Sequence, residues 1–286
     1  MFSLLLFLLI LVSHSEQKVI VRQARTELEI NEAVGVTEGD SRPLVEGDIV
    51  SWTSDRSKRS LMRDRDLTWP NGVVPFEMSP RLGWNGRKEI IRAMTHWQNL
   101  TCLRFKSRTY EKDYVLFVKE SGCWSHVGRV GGMQKLSVGS ECETMGIVAH
   151  EIGHAVAFWH EHSRPDRNKY IKILKKNVKS ERLHAFDRMS KSKVNSLKVP
   201  YDFLSIMHYD ENAFSKNTRP TIQLRHEWKG KTLKLGQRDG LSELDAMQAK
   251  MLYGCDGWKS DKQTRKRRKQ LRSQTEVVKN VKTNKY

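Results

Sequence analysis

Apolar residues return at helical spacing in two stretches of the chain. In residues 87–100, Ile90, Ile91, Met94 and Trp97 share one face, which predicts a core-facing helix. In residues 241–253, Leu241, Leu244, Met247 and Met251 do the same, and Gly254 supplies a C-terminal stop. Leu103-Arg104-Phe105 and Tyr114-Val115-Leu116-Phe117-Val118 are enriched in aromatic and β-branched residues and predict strands. Helices over a sheet in this half give an α+β or α/β half-domain. Beyond Tyr170 the pattern loosens into short helical and strand pieces. Residues 16–59 are polar, with few aromatics and no clear helix period, which reads as a pro-segment. Residues 259–286 carry almost no apolar side chains and read as a disordered tail.

The longest apolar run, residues 2–12, is too short to span a bilayer. It has the length of a signal-peptide core, and Ser13 and Ser15 are the small residues expected before a cut after Ser15. Residues 1–15 are therefore expected to direct secretion of a soluble protein without a membrane span. The four cysteines, Cys102, Cys123, Cys142 and Cys255, suit that compartment. None forms a CxxC pair, so two disulfides are expected, with three pairings open. Asn99-Leu100-Thr101 is an N-glycosylation sequon usable in a secreted chain.

The formal net charge of +18 is unevenly placed. Residues 256–286 hold eleven basic and three acidic side chains, whereas residues 16–59 hold seven basic and nine acidic. A slightly acidic leader and a strongly basic body favour each other's company, within the limits of salt screening. The tail, with Arg265-Lys266-Arg267-Arg268-Lys269, suits polyanions such as heparan-type glycans. Nucleic acid is not an expected partner outside the cell. Arg56-Ser57-Lys58-Arg59 matches the R-x-K-R pattern that secretory-pathway proteases cut, which would make Ser60 a new amino terminus.

The most informative chemistry lies in residues 145–157 and just beyond, where His150-Glu151-Ile152-Gly153-His154 is followed by His160. Two histidines four apart lie about 40° apart on one helix face, one turn from each other. They can offer two imidazole nitrogens to one Zn2+, with Glu151 within reach of the water beside it. A third histidine completes three neutral donors and leaves an open position, the pattern of a catalytic zinc site. On an unbroken helix His160 would point away from the metal, so the backbone has to turn just before it, typically through a left-handed residue.

The run HEIGHAVAFWHEHSRPDRNKY from His150, with Ser205-Ile206-Met207-His208-Tyr209 downstream, closely resembles the astacin family of metzincin zinc endopeptidases. So do WPNGVVPF from Trp69, TCLRF from Thr101, GCWSHVGR from Gly122 and GQRDGLSELD from Gly236. The resemblance covers about residues 60–255. It implies a two-lobed α+β catalytic domain, with a twisted mixed sheet and two long helices in the N-terminal lobe. The C-terminal lobe would be mostly irregular, ending in a helix.

The same resemblance assigns His150, His154 and His160 as zinc ligands, Glu151 as general base, and Met207 as the floor beneath the metal. Tyr209 becomes a resting extra ligand that swings to stabilise the transition state. Glu161 becomes the residue linked to the new amino terminus. The cysteines would pair Cys102 with Cys255 and Cys123 with Cys142. Val45-Glu46-Gly47-Asp48 resembles the family's FxGD switch, with Val for the usual Phe, and makes Asp48 the zinc ligand of the latent form. Arg238 falls in a segment that shapes the pocket after the cut bond, where an arginine favours Asp or Glu. Ala157 stands where the family has Gly. The implied partners are extracellular proteins or peptides as substrates and the chain's own pro-segment as inhibitor.

Overall fold

The computed structural model describes residues 26–35, 37–38, 42–50, 67–191, 194, 196–225 and 235–255. The expectations for the signal peptide, the cut between Arg59 and Ser60, and the basic tail lie outside the described residues.

Nine strands, β1 to β9, and four helices, α1 to α4, are described in chain order. A short antiparallel pair, β1 (Thr37–Glu38) and β2 (Arg42–Pro43), precedes the main sheet in the chain. The main sheet has five strands: β3 (Val73–Met78), β4 (Arg104–Ser107), β5 (Tyr114–Val118), β6 (Cys123–Ser125) and β7 (Met133–Val138). Their order across the sheet is β4-β3-β5-β7-β6; the first four are parallel and β6 alone runs antiparallel, at the edge. The helix α2 (Trp84–Leu100) provides the crossover between parallel β3 and β4. Its buried Ile90, Ala93, Met94 and Trp97 recur at i, i+3, i+4 and i+7. Ile91, expected on the core face, is 53% exposed, because it stands a further 100° round from Ile90.

The helix α3 (Met145–Ala155) is buried from Gly146 to Ala155. It is covered on all sides by the sheet, α2 and the second lobe, so it needs no polar face. The second lobe is mostly irregular, with a short antiparallel pair, β8 (Ile171–Ile173) and β9 (Ile222–Leu224). Its own core gathers Phe186, Tyr201, Tyr209, Phe214 and Ile222. The lobe closes with α4 (Glu243–Tyr253), started by a Ser242/Asp245 capping box and stopped by Gly254 in the left-handed conformation. Disulfides join Cys102 to Cys255 and Cys123 to Cys142. The first ties the end of α2 to the end of α4 across a sequence separation of 153, and closure of so long a loop contributes several kcal/mol, about 2–5, by restricting the unfolded chain.

For residues 16–59, where the sequence shows no clear helix period, the structure corrects the expectation in one place. Residues Glu27–Val34 form α1, with Thr26 and Glu29 making a capping box and Gly35 a left-handed stop. Two short turns of buried Leu28, Ile30 and Asn31 show too little periodicity to register in sequence, and the helix depends on what it packs against. Leu28 enters the second lobe's core and Ile30 the first's, so α1 wedges between them.

The helix α3 ends at Ala155, and the stop is informative. The Ala157 amide donates to the His154 carbonyl (2.8 Å) and the Phe158 amide to the Gly153 carbonyl (2.9 Å), the bond pair of a Schellman ending. Ala157 is the left-handed residue of that ending, at φ 75°. An alanine there costs about 1 kcal/mol more than glycine. Ala157→Gly is therefore expected to raise the unfolding free energy by about 1 kcal/mol, measured by urea denaturation at fixed metal content. An unchanged midpoint would contradict the strain at this position.

Candidate metal centre

The turn at Ala157 brings His160 back to the face that carries His150 and His154. The three rings form a triangle, with centroid separations of 4.8, 4.7 and 5.4 Å. Each Nδ1 is committed to an acceptor. His150 Nδ1 donates to the Ile206 carbonyl (2.7 Å), His154 Nδ1 to the Phe158 carbonyl (2.9 Å), and His160 Nδ1 to a Glu46 carboxylate oxygen (2.6 Å). The two carbonyls only accept, so at His150 and His154 these bonds place the proton on Nδ1 and leave Nε2 with its lone pair. All three Nε2 atoms face Asp48: its Oδ2 lies 3.1 Å from His150 and 3.2 Å from His160, and its Oδ1 3.6 Å from His154.

One ligand atom from each of Asp48, His150, His154 and His160 lies within 4.8 Å of the others, and all four residues are buried. His154 Nε2 and Asp48 Oδ1 have no hydrogen-bond partner, an arrangement that costs free energy without a ligand. Despite burial, the Asp48 carboxylate lifts His160 to about 10, so the centre favours a positive charge. Three imidazoles and one carboxylate in a closed set are the donors that suit zinc. These residues fit the ion.

Around this centre the expected residues fall into place unevenly. Glu151 is fully buried, and neither carboxylate oxygen has a partner. Burial, then the charges of Asp48 and Glu27, push its pKa well above the ordinary range. Met207 lies beneath α3: a Cβ on Gly153 would come within 2.5 Å of its sulfur, so glycine is what lets the two approach. Tyr209 is engaged by Glu46. Its hydroxyl donates to the Glu46 carbonyl, and its ring lies 3.7 Å from that of His162. Glu161 accepts from the Asp202 amide (2.8 Å) and from Arg164 (3.1 Å), while burial lifts its pKa to about 7. Asn99 is exposed in the last turn of α2, distant in role from the centre.

The Asp48 segment is shaped by its own backbone. Val45 and Ile49 bond to each other across a tight turn, with Glu46 and Gly47 at positive φ. A side chain on Gly47 would collide with Phe214 and Leu28, so both the turn and the space call for glycine. Val45 is partly exposed, which explains why it can stand where the family has Phe. Beyond the turn, Ile49 joins β6 in parallel, through Ser125 N to Asp48 O (3.0 Å) and Val50 N to Ser125 O (2.9 Å).

Three acids escaped the sequence reading. Glu46 orients His160, as described. Asp245 accepts from Ser205 Oγ (2.7 Å) and the Ile206 amide (2.9 Å), fixing the segment that carries Met207. Its signal, a Ser-x-x-Asp box at the start of a helix, was legible, but its second task was not. Glu27 pairs with Arg238 and sits 3.8 Å from His150 Nε2. Burial is the largest single influence and would raise Glu27, but the Arg238 charge, the His150 charge and the Arg238 hydrogen bonds together outweigh it and hold the carboxyl at about 2. Arg238 is thus not the surface arginine that composition alone would make it.

Replacement of any ligand, for example His154→Ala, is expected to reduce bound zinc from one per chain to a small fraction after dialysis. Elemental analysis measures it, and full zinc retention would contradict the site.

Comparison with known proteins agrees with this geometry. Residues 61–254 match the family model Astacin, which describes a peptidase family. Zinc metalloproteinase nas-39 of Caenorhabditis elegans is 41% identical over 203 residues, 70% of this chain and 22% of that protein. Bone morphogenetic protein 1 of Xenopus laevis is 40% identical over 201 residues, 69% of this chain and 28% of that protein. The chain thus spans about a fifth to a quarter of the length of these relatives. Among solved structures, high choriolytic enzyme 1, a hatching-enzyme zinc protease of Oryzias latipes, superposes with a TM-score of 0.62 at 33% identity, covering 73% of this chain and 99% of its own. The chain belongs to the astacin family of metallopeptidases.

Proposed function

We propose that this protein is a secreted zinc endopeptidase made as a latent precursor. Residues 1–15 direct export, residues 16–59 form the inhibitory pro-segment, and residues 60–255 form the catalytic unit. Cleavage after Arg59 starts activation. The observation that carries the reading is the Asp48 carboxylate facing three histidine Nε2 atoms within one metal-sized space. It closes the position a substrate would use.

Zinc, held by His150, His154 and His160, supplies Lewis acidity for a peptide carbonyl and an attacking water. Glu151 takes the proton from that water and delivers it to the departing amine nitrogen. Burial first, and then the charges of Asp48 and Glu27, hold the Glu151 carboxyl above its ordinary range, and departure of those two acids removes their share of the shift. Tyr209, freed from the Glu46 carbonyl, turns its hydroxyl toward the oxyanion. Met207 keeps the floor apolar. Glu161, lifted by burial, receives the new amine at Ser60 as a cationic partner. Arg238 offers a fork for an acidic side chain beyond the cut bond. The substrates are extracellular proteins or peptides, Asn99 carries glycan, and the basic tail retains the enzyme on heparan-type polyanions.

The activated Glu151→Ala enzyme is expected to keep its zinc and its fold while peptide cleavage falls at least about a hundredfold. Full activity in a purified assay would contradict the mechanism. Arg238→Gln is expected to abolish the preference for acidic residues after the cut bond in peptide-library profiling. An unchanged profile would remove Arg238 from the specificity pocket.

A further inference from the structure

Asp48 is held at the metal ligands, but it is not alone among the fully buried acids of residues 26–50. Glu27, 21 residues earlier and on a separate element, is also fully buried. A carboxylate is almost never buried completely unless something pairs with it. Its partner is Arg238, whose Nε donates to Glu27 Oε2 (2.8 Å) while a terminal nitrogen donates to Oε1. This is the two-pronged fit of guanidinium to carboxylate, the most directional ion pair available to side chains.

Arg238 is a rigid receiver. Its other terminal nitrogen donates to the carbonyls of Gln237 (2.9 Å) and His208 (3.3 Å). Its backbone is pressed against α3, where a Cβ on Gly146 would fall 1.6 Å from the Arg238 carbonyl oxygen. The fork is therefore fixed by the motif helix on one side and the segment leading to Tyr209 on the other. Its pocket adjoins the centre, since Glu27 Oε1 lies 3.8 Å from His150 Nε2. On the pro-segment side, the Thr26/Glu29 capping box sets the first turn of α1, and Leu28 and Ile30 seat it between the two lobes.

We propose that Glu27 is a pseudo-substrate carboxylate: it fills the Arg238 pocket and forms a second anchor of the pro-segment that works without the metal. The proposal rests on the latent-precursor reading above and adds the residue, the pocket and the ligand chemistry. The two anchors are chemically distinct. Asp48 acts at the metal ligands, whereas Glu27 acts through an ion pair within the polypeptide. Loss of the first should leave α1 in place. Loss of the second should free α1 while the Asp48 strand stays on β6.

Hydrogen exchange of the zinc-loaded full chain, read by mass spectrometry, tests this without any activity assay. In Asp48→Asn, the amides of α1 are expected to exchange within about threefold of wild type. In Asp48→Asn combined with Glu27→Gln, α1 is expected to exchange at least tenfold faster, with α2 unchanged as the control for folding. Should the double variant lose α2 protection, Glu27→Gln alone carries the test. There α1 is expected to loosen tenfold while the Val50 and Ser125 amides hold. Equal α1 exchange with and without Glu27→Gln would overturn the proposal, as would full release of α1 by Asp48→Asn alone. Either result would leave the peptidase reading standing, since that is judged by Glu151→Ala.

Discussion

Everything at this site depends on keeping three imidazole Nε2 atoms aimed at one point inside a buried volume. An imidazole ring is free to rotate and to exchange tautomers, and each freedom would scatter the donors. The protein removes both by giving every Nδ1 an acceptor. Two acceptors are backbone carbonyls, at Ile206 and Phe158. The Phe158 carbonyl is where it is because the helix ends at Ala157 in a left-handed turn. The Ile206 carbonyl is where it is because Asp245 holds the neighbouring amide and Ser205. The folding of α4, the ending of α3 and the closeness of Met207 to Gly153 therefore serve one aim.

Much of this was legible in the residues. The spacing of His150, His154 and His160 required a helix and then a break, and both are present. The strained position could be named in advance from the family likeness, which puts Gly where Ala157 stands, in a stretch where the chain has to turn back. The strands at Tyr114–Val118 and Arg104–Ser107 followed from β-branched and aromatic content, and the helix at Trp84–Leu100 from its apolar period. The cysteine pairing followed from family likeness, not from the cysteines themselves, which left three solutions open.

What was hidden in the sequence shares a physical cause. The helix α1 is eight residues long, has a mixed surface, and is stabilised by contacts with two lobes lying far away in sequence. Local periodicity cannot report such a helix. Glu27, Glu46 and Asp245 look like ordinary solvated acids until the fold buries them beside Arg238, His160 and the Ser205–Ile206 turn. Their roles are set by partners 211, 114 and 40 residues away. Val45 shows the reverse case. A departure from the family pattern loses its importance once the backbone pairing with Ile49 is seen to make the turn.

The third orienting acceptor is of a different kind from the other two. The ring at His160 is steadied by Glu46, which lies in the proposed pro-segment, whereas the rings at His150 and His154 are steadied by backbone carbonyls of the catalytic domain. The donor set therefore consists of two nitrogens aimed permanently and one aimed on loan. In the proposed activation, departure of the segment leaves a single imidazole to find a new acceptor, and the hydroxyl of Tyr209 is released from the same residue at the same moment. One glutamate thus couples the orientation of a ligand to the freedom of a neighbouring phenol. The two changes at the centre become a single event rather than two.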